Sequence, residues 1–120
     1  MSEFVDYLKE VFEAFGPVQA RRMFGGHGLF HDGLMFGLVA DDTLYLKGDE
    51  ATASRFEDRG LPRFEYAKAN KTVKLSYYMA PEEIFDDPGE AAIWARHAFE
   101  AALRAHRKPR KKQQKKLGSE

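Results

Sequence analysis

The sequence predicts an α+β domain, with an antiparallel sheet of about five strands (a meander plus a hairpin) packed against N-terminal and C-terminal helices. Three observations predict it. Apolar residues at helical spacing are concentrated at the two ends of the chain. Between them, short alternating apolar segments are separated by turn dipeptides. The chain has 120 residues, of which 43% are hydrophobic and 13% aromatic, which suits one domain with a real core.

Each element has a local reason. Residues 2–15 place Phe4, Val5, Leu8, Val11, Phe12 and Phe15 on one helical face, with Glu3, Asp6, Lys9, Glu10 and Glu13 on the wet side. Ser2 is a suitable N-cap, and Gly16-Pro17 stops the helix. Strand and turn signals run from Val18 to Lys47, with a break at Gly25-Gly26. Asp32-Gly33 marks a type I′ hairpin between His27–His31 and Leu34–Val39, because both central residues of that turn need positive φ. Asp41-Asp42 turns the chain again into Thr43–Lys47, where Leu44 and Leu46 share a face opposite Thr43, Tyr45 and Lys47.

Asp49 is read as capping a short helix to about Arg59, ended by Gly60 and Pro62. A second hairpin turns around Ala69-Asn70. Phe64 and Tyr66 alternate with polar residues before it, and Val73, Leu75 and Tyr77 do so after it. Pro81-Glu82-Glu83 reads as a single helical turn, and Asp87-Pro88-Gly89-Glu90 as the capped start of a long final helix. The stripe of that helix is Ala91, Ala95, Ala98, Phe99, Ala102 and Leu103, with Trp94 beside it. The expected core unites Phe4, Leu8, Val11, Phe12, Phe15, Leu44, Leu46, Val73, Leu75, Phe99 and Leu103.

Charge divides the chain. It carries 19 Lys+Arg and 19 Asp+Glu, yet residues 1–103 hold 11 basic and 18 acidic side chains, a balance of −7, and residues 104–120 hold a balance of +7. The expected organisation is an α+β domain over residues 1–106 and a basic disordered tail over residues 107–120. Arg107, Lys108, Arg110, Lys111, Lys112, Lys115 and Lys116 are the candidate nucleic-acid-binding residues, because a block of like charge resists burial and attracts polyanions. Its plainer reading is a solvated solubility tail.

Other patterns point to ordinary structure. With no Cys, disulfides, thiolate metal sites and thiol catalysis are excluded. No signal pattern or membrane-spanning apolar run stands out, and a cytoplasmic protein is expected. His27 and His31 share a strand face but lie about 13 Å apart, too far for one ion. Gly25-Gly26-His27-Gly28 leads into a strand rather than a helix, so it reads as a tight connection and not a phosphate loop. Glu82, Glu83, Asp86 and Asp87 are accounted for by helix starts. Ser54, Ser76 and Thr43 sit in no nucleophile motif. Tyr45, Tyr66, Tyr77 and Tyr78 with the Phe residues, near Lys47, Lys68, Lys71 and Lys74, could form a base-stacking platform, although packing accounts for them first. No catalytic residue, metal or cofactor is expected.

Arg22-Met23-Phe24-Gly25-Gly26-His27-Gly28-Leu29-Phe30, Asp32-Gly33-Leu34-Met35-Phe36-Gly37-Leu38-Val39 and Leu44-Tyr45-Leu46-Lys47 resemble the N-terminal domain of the TfoX/Sxy family. Ser76-Tyr77-Tyr78, Pro81-Glu82-Glu83, Asp86-Asp87-Pro88 and the Ala-rich helix around Trp94 continue the resemblance, which covers about residues 1–105. It implies a two-layer α+β fold in a bacterial cytoplasm. The family's namesakes regulate natural competence genes with the cyclic-AMP receptor protein and carry a helical C-terminal domain, whereas here only the basic run follows. The expectation is a small non-enzymatic regulatory module. Its partner would be a transcription regulator or an RNA polymerase-associated protein, with weak nucleic-acid binding by the tail and no membrane contact. The competing class is a small-ligand protein or enzyme with a pocket between sheet and helices. A homodimer is a third reading.

Overall fold

Helix α1, Glu3–Val11, exists because its apolar residues recur on one face, and that face is driven from water. Val5 and Leu8, with Phe12 just beyond the helix, are fully buried. The helix is shorter than residues 2–15. From Phe12 to Phe15 the chain makes tighter turns, in which Phe15 and Gly16 donate backbone N–H groups to the Phe12 carbonyl at 2.9 and 3.1 Å. The computed structural model describes residues 3–23 and 25–107, so the Ser2 cap lies outside the described residues.

A six-stranded sheet follows. Its strands are β1 (Gln19–Met23), β2 (Gly26–His31), β3 (Leu34–Ala40), β4 (Thr43–Lys47), β5 (Arg63–Lys68) and β6 (Lys71–Met79), in the spatial order β1-β2-β3-β4-β6-β5. Every neighbouring pair is antiparallel. The sheet has one strand more than the sequence suggests. The addition is β1, an edge strand whose Gln19, Arg21 and Arg22 are exposed and hide the alternation. The Asp32-Gly33 turn has φ of 50° and 81°, as type I′ requires, and Asp41-Asp42 repeats the positive pair at 52° and 54°. A register shift beside Leu29 and Phe30 lets Phe36 enter the core, where it is completely buried.

Helix α2 is confined to Ala53–Glu57. Asp49 does not cap it directly. The Asp49 side chain accepts the Ala51 N–H at 3.1 Å, and the Thr52 hydroxyl accepts the Asp49 N–H at 3.0 Å, so a side-chain turn precedes the helix. A 3₁₀ turn spans Glu82–Phe85. Helix α3, Pro88–Arg107, begins where Asp87 Oδ1 accepts the N–H groups of Gly89 and Glu90 at 2.9 and 3.2 Å.

The helices all pack on one face of the sheet. Val5, Leu8 and Phe12 meet Leu29, Phe36, Val39, Leu44, Leu46 and Tyr78, together with Phe56, Ile84, Trp94 and the alanines of α3. Aromatic contacts lock this layer. Phe12 meets Phe36 edge-on at 5.7 Å, and Phe56 stacks on Tyr78 at 4.6 Å. Two expected core residues are on the wrong side. Leu46 pairs with Tyr78 and Lys47 with Tyr77, so Tyr78 shares the helix-covered face with Leu46, while Val73, Leu75 and Tyr77 face away. Leu103 is only half-buried and stands outside the buried cluster. Among the described residues, no helix packs along the second face, although the end of α3 reaches its rim beside Lys47 and Tyr77, and none is long and apolar enough to cross a membrane.

Candidate functional site

Of the seven candidate basic residues, Arg107 is exposed at the end of α3. Lys108, Arg110, Lys111, Lys112, Lys115 and Lys116 lie outside the described residues. What the structure adds is how the end of α3 is held. Arg104 Nε donates to Asp49 Oδ2 at 2.6 Å, and its Nη2 donates to Oδ1 at 3.2 Å. This fork pins the last turns of α3 to the end of β4. The Arg104 hydrogen bond holds the Asp49 carboxyl below its usual range, against a smaller opposing effect of burial.

Beside that anchor lies a hollow of about 260 Å³ lined by Leu34, Met35, Lys47, Tyr77, Ala102, Ala105 and His106. Lys47 Nζ is 5.2 Å from the centre of the Tyr77 ring. Burial pushes the Tyr77 phenol up to about 12. Burial also lowers the Lys47 ammonium, with Asp49 opposing it. The origin of the basic run therefore stands at the rim of a Lys–Tyr hollow. Among the described residues, Asp49 and His106 stand near this pair, but neither is hydrogen-bonded to Lys47 or Tyr77 in the kind of chain that acid–base catalysis uses.

The remaining polar candidates do not converge. His31 is wedged between Phe15 and Phe99, with ring centroids 4.5 and 4.9 Å away, and its Nδ1 lies 2.8 Å from the Pro17 carbonyl. His27 lines a different hollow with Asp41 and Asp42, where its buried Nε2 meets no hydrogen-bond partner. Among the described residues, no three His, Asp or Glu side chains are grouped to hold a metal ion. At Gly26, a Cβ would stand 2.0 Å from the Val39 carbonyl oxygen, so this glycine serves close strand packing. Glu83 pairs with Arg59, and Asp87 caps α3, so these two acids serve structure.

The aromatic platform is rearranged. Pairing of Tyr45 with Met79, Lys47 with Tyr77, Tyr66 with Val73 and Lys68 with Lys71 places Tyr45, Tyr66, Tyr77, Lys47, Lys68 and Lys71 on the face without helices. Tyr78 and Lys74 fall on the other face, where Lys74 lies 3.7 Å from Glu65. Phe64 joins the open face, 4.9 Å from Tyr45 and 6.1 Å from Tyr66 between ring centroids. Phe30 and Arg21 form a second group there, with the guanidinium 4.7 Å above the ring. The expected platform took in the Phe residues as a group, and Phe64 and Phe30 are among those that the strands put there. Their signal is the alternation, and it holds through the register shift in β5, since Arg63 and Glu65 both pair on the covered face while Phe64 and Tyr66 share the open one.

Two known proteins are similar to this chain in sequence. The chain is 32% identical over 97 residues to a protein of Aliivibrio fischeri named DNA transformation protein TfoX1, covering 81% of this chain and 44% of that protein. It is 26% identical over 96 residues to Protein Sxy of Escherichia coli, covering 80% of this chain and 46% of that protein. It thus spans less than half the length of either relative. Residues 10–102 match the family described as TfoX N-terminal domain, and the chain belongs to that family.

Proposed function

We propose that the chain is a small cytoplasmic regulatory module of the TfoX/Sxy kind, acting in transcription regulation through protein contacts and catalysing no reaction of its own. The observation that carries this reading is the family match over residues 10–102, with a relative named for DNA transformation. The basic run from Arg107 to Lys116 adds weak, sequence-independent contact with nucleic acid, since phosphate contacts position a protein without reading bases. The space between sheet and helices, where a reaction pocket would lie, is occupied by Phe12, Phe36, Leu8, Leu29, Leu46 and Ile84, all essentially unexposed. This supports the regulatory reading over the enzymatic one.

The test is affinity capture of the tagged chain from its native cell, with and without nuclease. The expected result is a transcription regulator or an RNA polymerase-associated protein retained after nuclease treatment. Loss of every such protein on nuclease treatment would mean that nucleic acid bridges the contact, and the protein-contact reading would fail.

A further inference from the structure

The face of the sheet that carries no helix is chemically one-sided. Residues 1–103 hold 18 Asp+Glu against 11 Lys+Arg. Yet, among the described residues, the strands place Arg21, Lys47, Lys68 and Lys71 on this face and no carboxylate, and Asp49, just past β4, acts on Lys47 from the rim. Lys68 and Lys71 are directly paired across the β5–β6 hairpin. Like charges directly opposite weaken a hairpin, and among the described residues the strands of that face place no carboxylate beside them. The aromatic rings are contiguous, running from Tyr45 through Phe64 to Tyr66, with Tyr66 39% exposed. Segregated cations beside ring faces on a sheet suit a ligand that brings both anionic groups and flat π-surfaces. An acidic peptide would satisfy the cations and leave the rings unmatched. Duplex DNA would offer phosphates while keeping its bases stacked inside.

We propose that this face binds a single strand of nucleic acid, with bases stacking on Tyr45, Phe64 and Tyr66 and phosphates meeting Lys47, Lys68 and Lys71. The strand's path is continuous with the basic run in sequence, because His106 lines the same hollow as Lys47 and Tyr77, and Arg107 follows it. The two surfaces divide the work. The basic run contributes charge attraction alone, and the sheet contributes the part that depends on bases. The inference stands independently of the protein-contact reading, which the nuclease-treated capture tests separately.

The experiment uses the full chain and fluorescence anisotropy with an oligothymidylate of about 12 nucleotides. The control is an abasic deoxyribose-phosphate strand of the same length, which keeps the phosphates and lacks the bases. The oligothymidylate should bind about tenfold more tightly or better, because stacking on each ring adds to the phosphate contacts. Tyr66→Ala should weaken oligothymidylate binding by about 5-fold to 100-fold and leave the abasic strand unchanged, while Tyr66→Phe restores the affinity. Replacing Lys68 and Lys71 together by Gln should weaken both strands and flatten the log–log salt slope by about 1.4. Circular dichroism checks that each variant is folded; Tyr66 and the two lysines are exposed, so folding should survive their replacement. Equal affinity for the two strands, or no effect of Tyr66→Ala in a folded protein, overturns the proposal and leaves the basic run as the sole contact. Polyglutamate binding as tightly as the oligothymidylate also overturns it, in favour of an acidic protein partner.

Discussion

Single positions carry identifiable strain and charge. Gly33 sits at φ of 81° in the β2–β3 turn, where a β-branched residue meets steric strain. Gly33→Val should therefore lower the urea midpoint without changing the slope of the transition. The opposite change is available in the β5–β6 turn. Ala69 holds φ of 54°, a conformation that disfavours any residue with a Cβ. Ala69→Gly should stabilise the protein by about 0.5–1 kcal/mol, the relieved strain less the entropy of a more flexible unfolded chain. Asp49 gives a pH signature. Its folded-state pKa is lowered, chiefly by the Arg104 hydrogen bond, so its stabilising contribution is fully present above the ordinary carboxyl range and is lost as pH falls through the lowered value. Melting temperatures of the wild type and Asp49→Asn should differ at neutral pH and converge in acid. A difference that grew in acid would contradict the geometry. Because the pair is partly exposed, the neutral-pH difference should be small and shrink with added salt.

At the scale of elements, the first helix and the sheet depend on each other. Phe12 is fully buried, just past the end of α1, against Phe36 of β3. Phe12→Ala should cost about 3–5 kcal/mol, read as a loss of denaturant stability, because removing a buried ring leaves a cavity that a close-packed layer fills poorly. A loss below about 1 kcal/mol would mean that this layer collapses around the gap or is not the core. Most elements were legible locally. The α3 start was visible because Asp87 bonds groups two and three residues away, and the β2–β3 turn because its two residues set their own backbone angles. Strand β1 was not, since its pairing with β2 leaves Arg21 and Arg22 exposed on an edge. The length of α2 was not either, since the Asp49–Thr52 side-chain turn replaces the first turn of a helix that the same residues could have begun.

The whole molecule joins an acidic body to a basic run. Seven Lys/Arg lie between Arg107 and Lys116, against a balance of −7 over residues 1–103. If all seven met phosphates on duplex DNA, the log–log salt slope would be about −6, and partial contact would give less. Removing residues 107–120 should abolish most duplex binding and leave the melting temperature nearly unchanged, because the run is rich in charge and has a single large apolar residue, Leu117, to bury. Binding assays at two salt concentrations, paired with thermal melts, check both outcomes. Equal duplex binding by the shortened chain would move that affinity to the body. A large drop in melting temperature would show that the removed residues pack on it.

The α+β class, the turns at Asp32-Gly33 and Asp41-Asp42, the Asp87 cap and the division of charge were readable from the chain alone. Each of these depends on neighbouring residues or on composition. Which alternating set faces the helices was settled by strand pairing across the sheet. A period of two says that Tyr77 and Tyr78 point opposite ways, but it does not say which way. The pairing of Leu46 with Tyr78 and of Lys47 with Tyr77 decides that. That register moved Val73 and Leu75 out of the expected core and gathered Tyr45, Tyr66, Tyr77 and three lysines on one uncovered face. The reason is physical: the face of a strand is set by the partner it pairs with, and that partner lies far away in the chain.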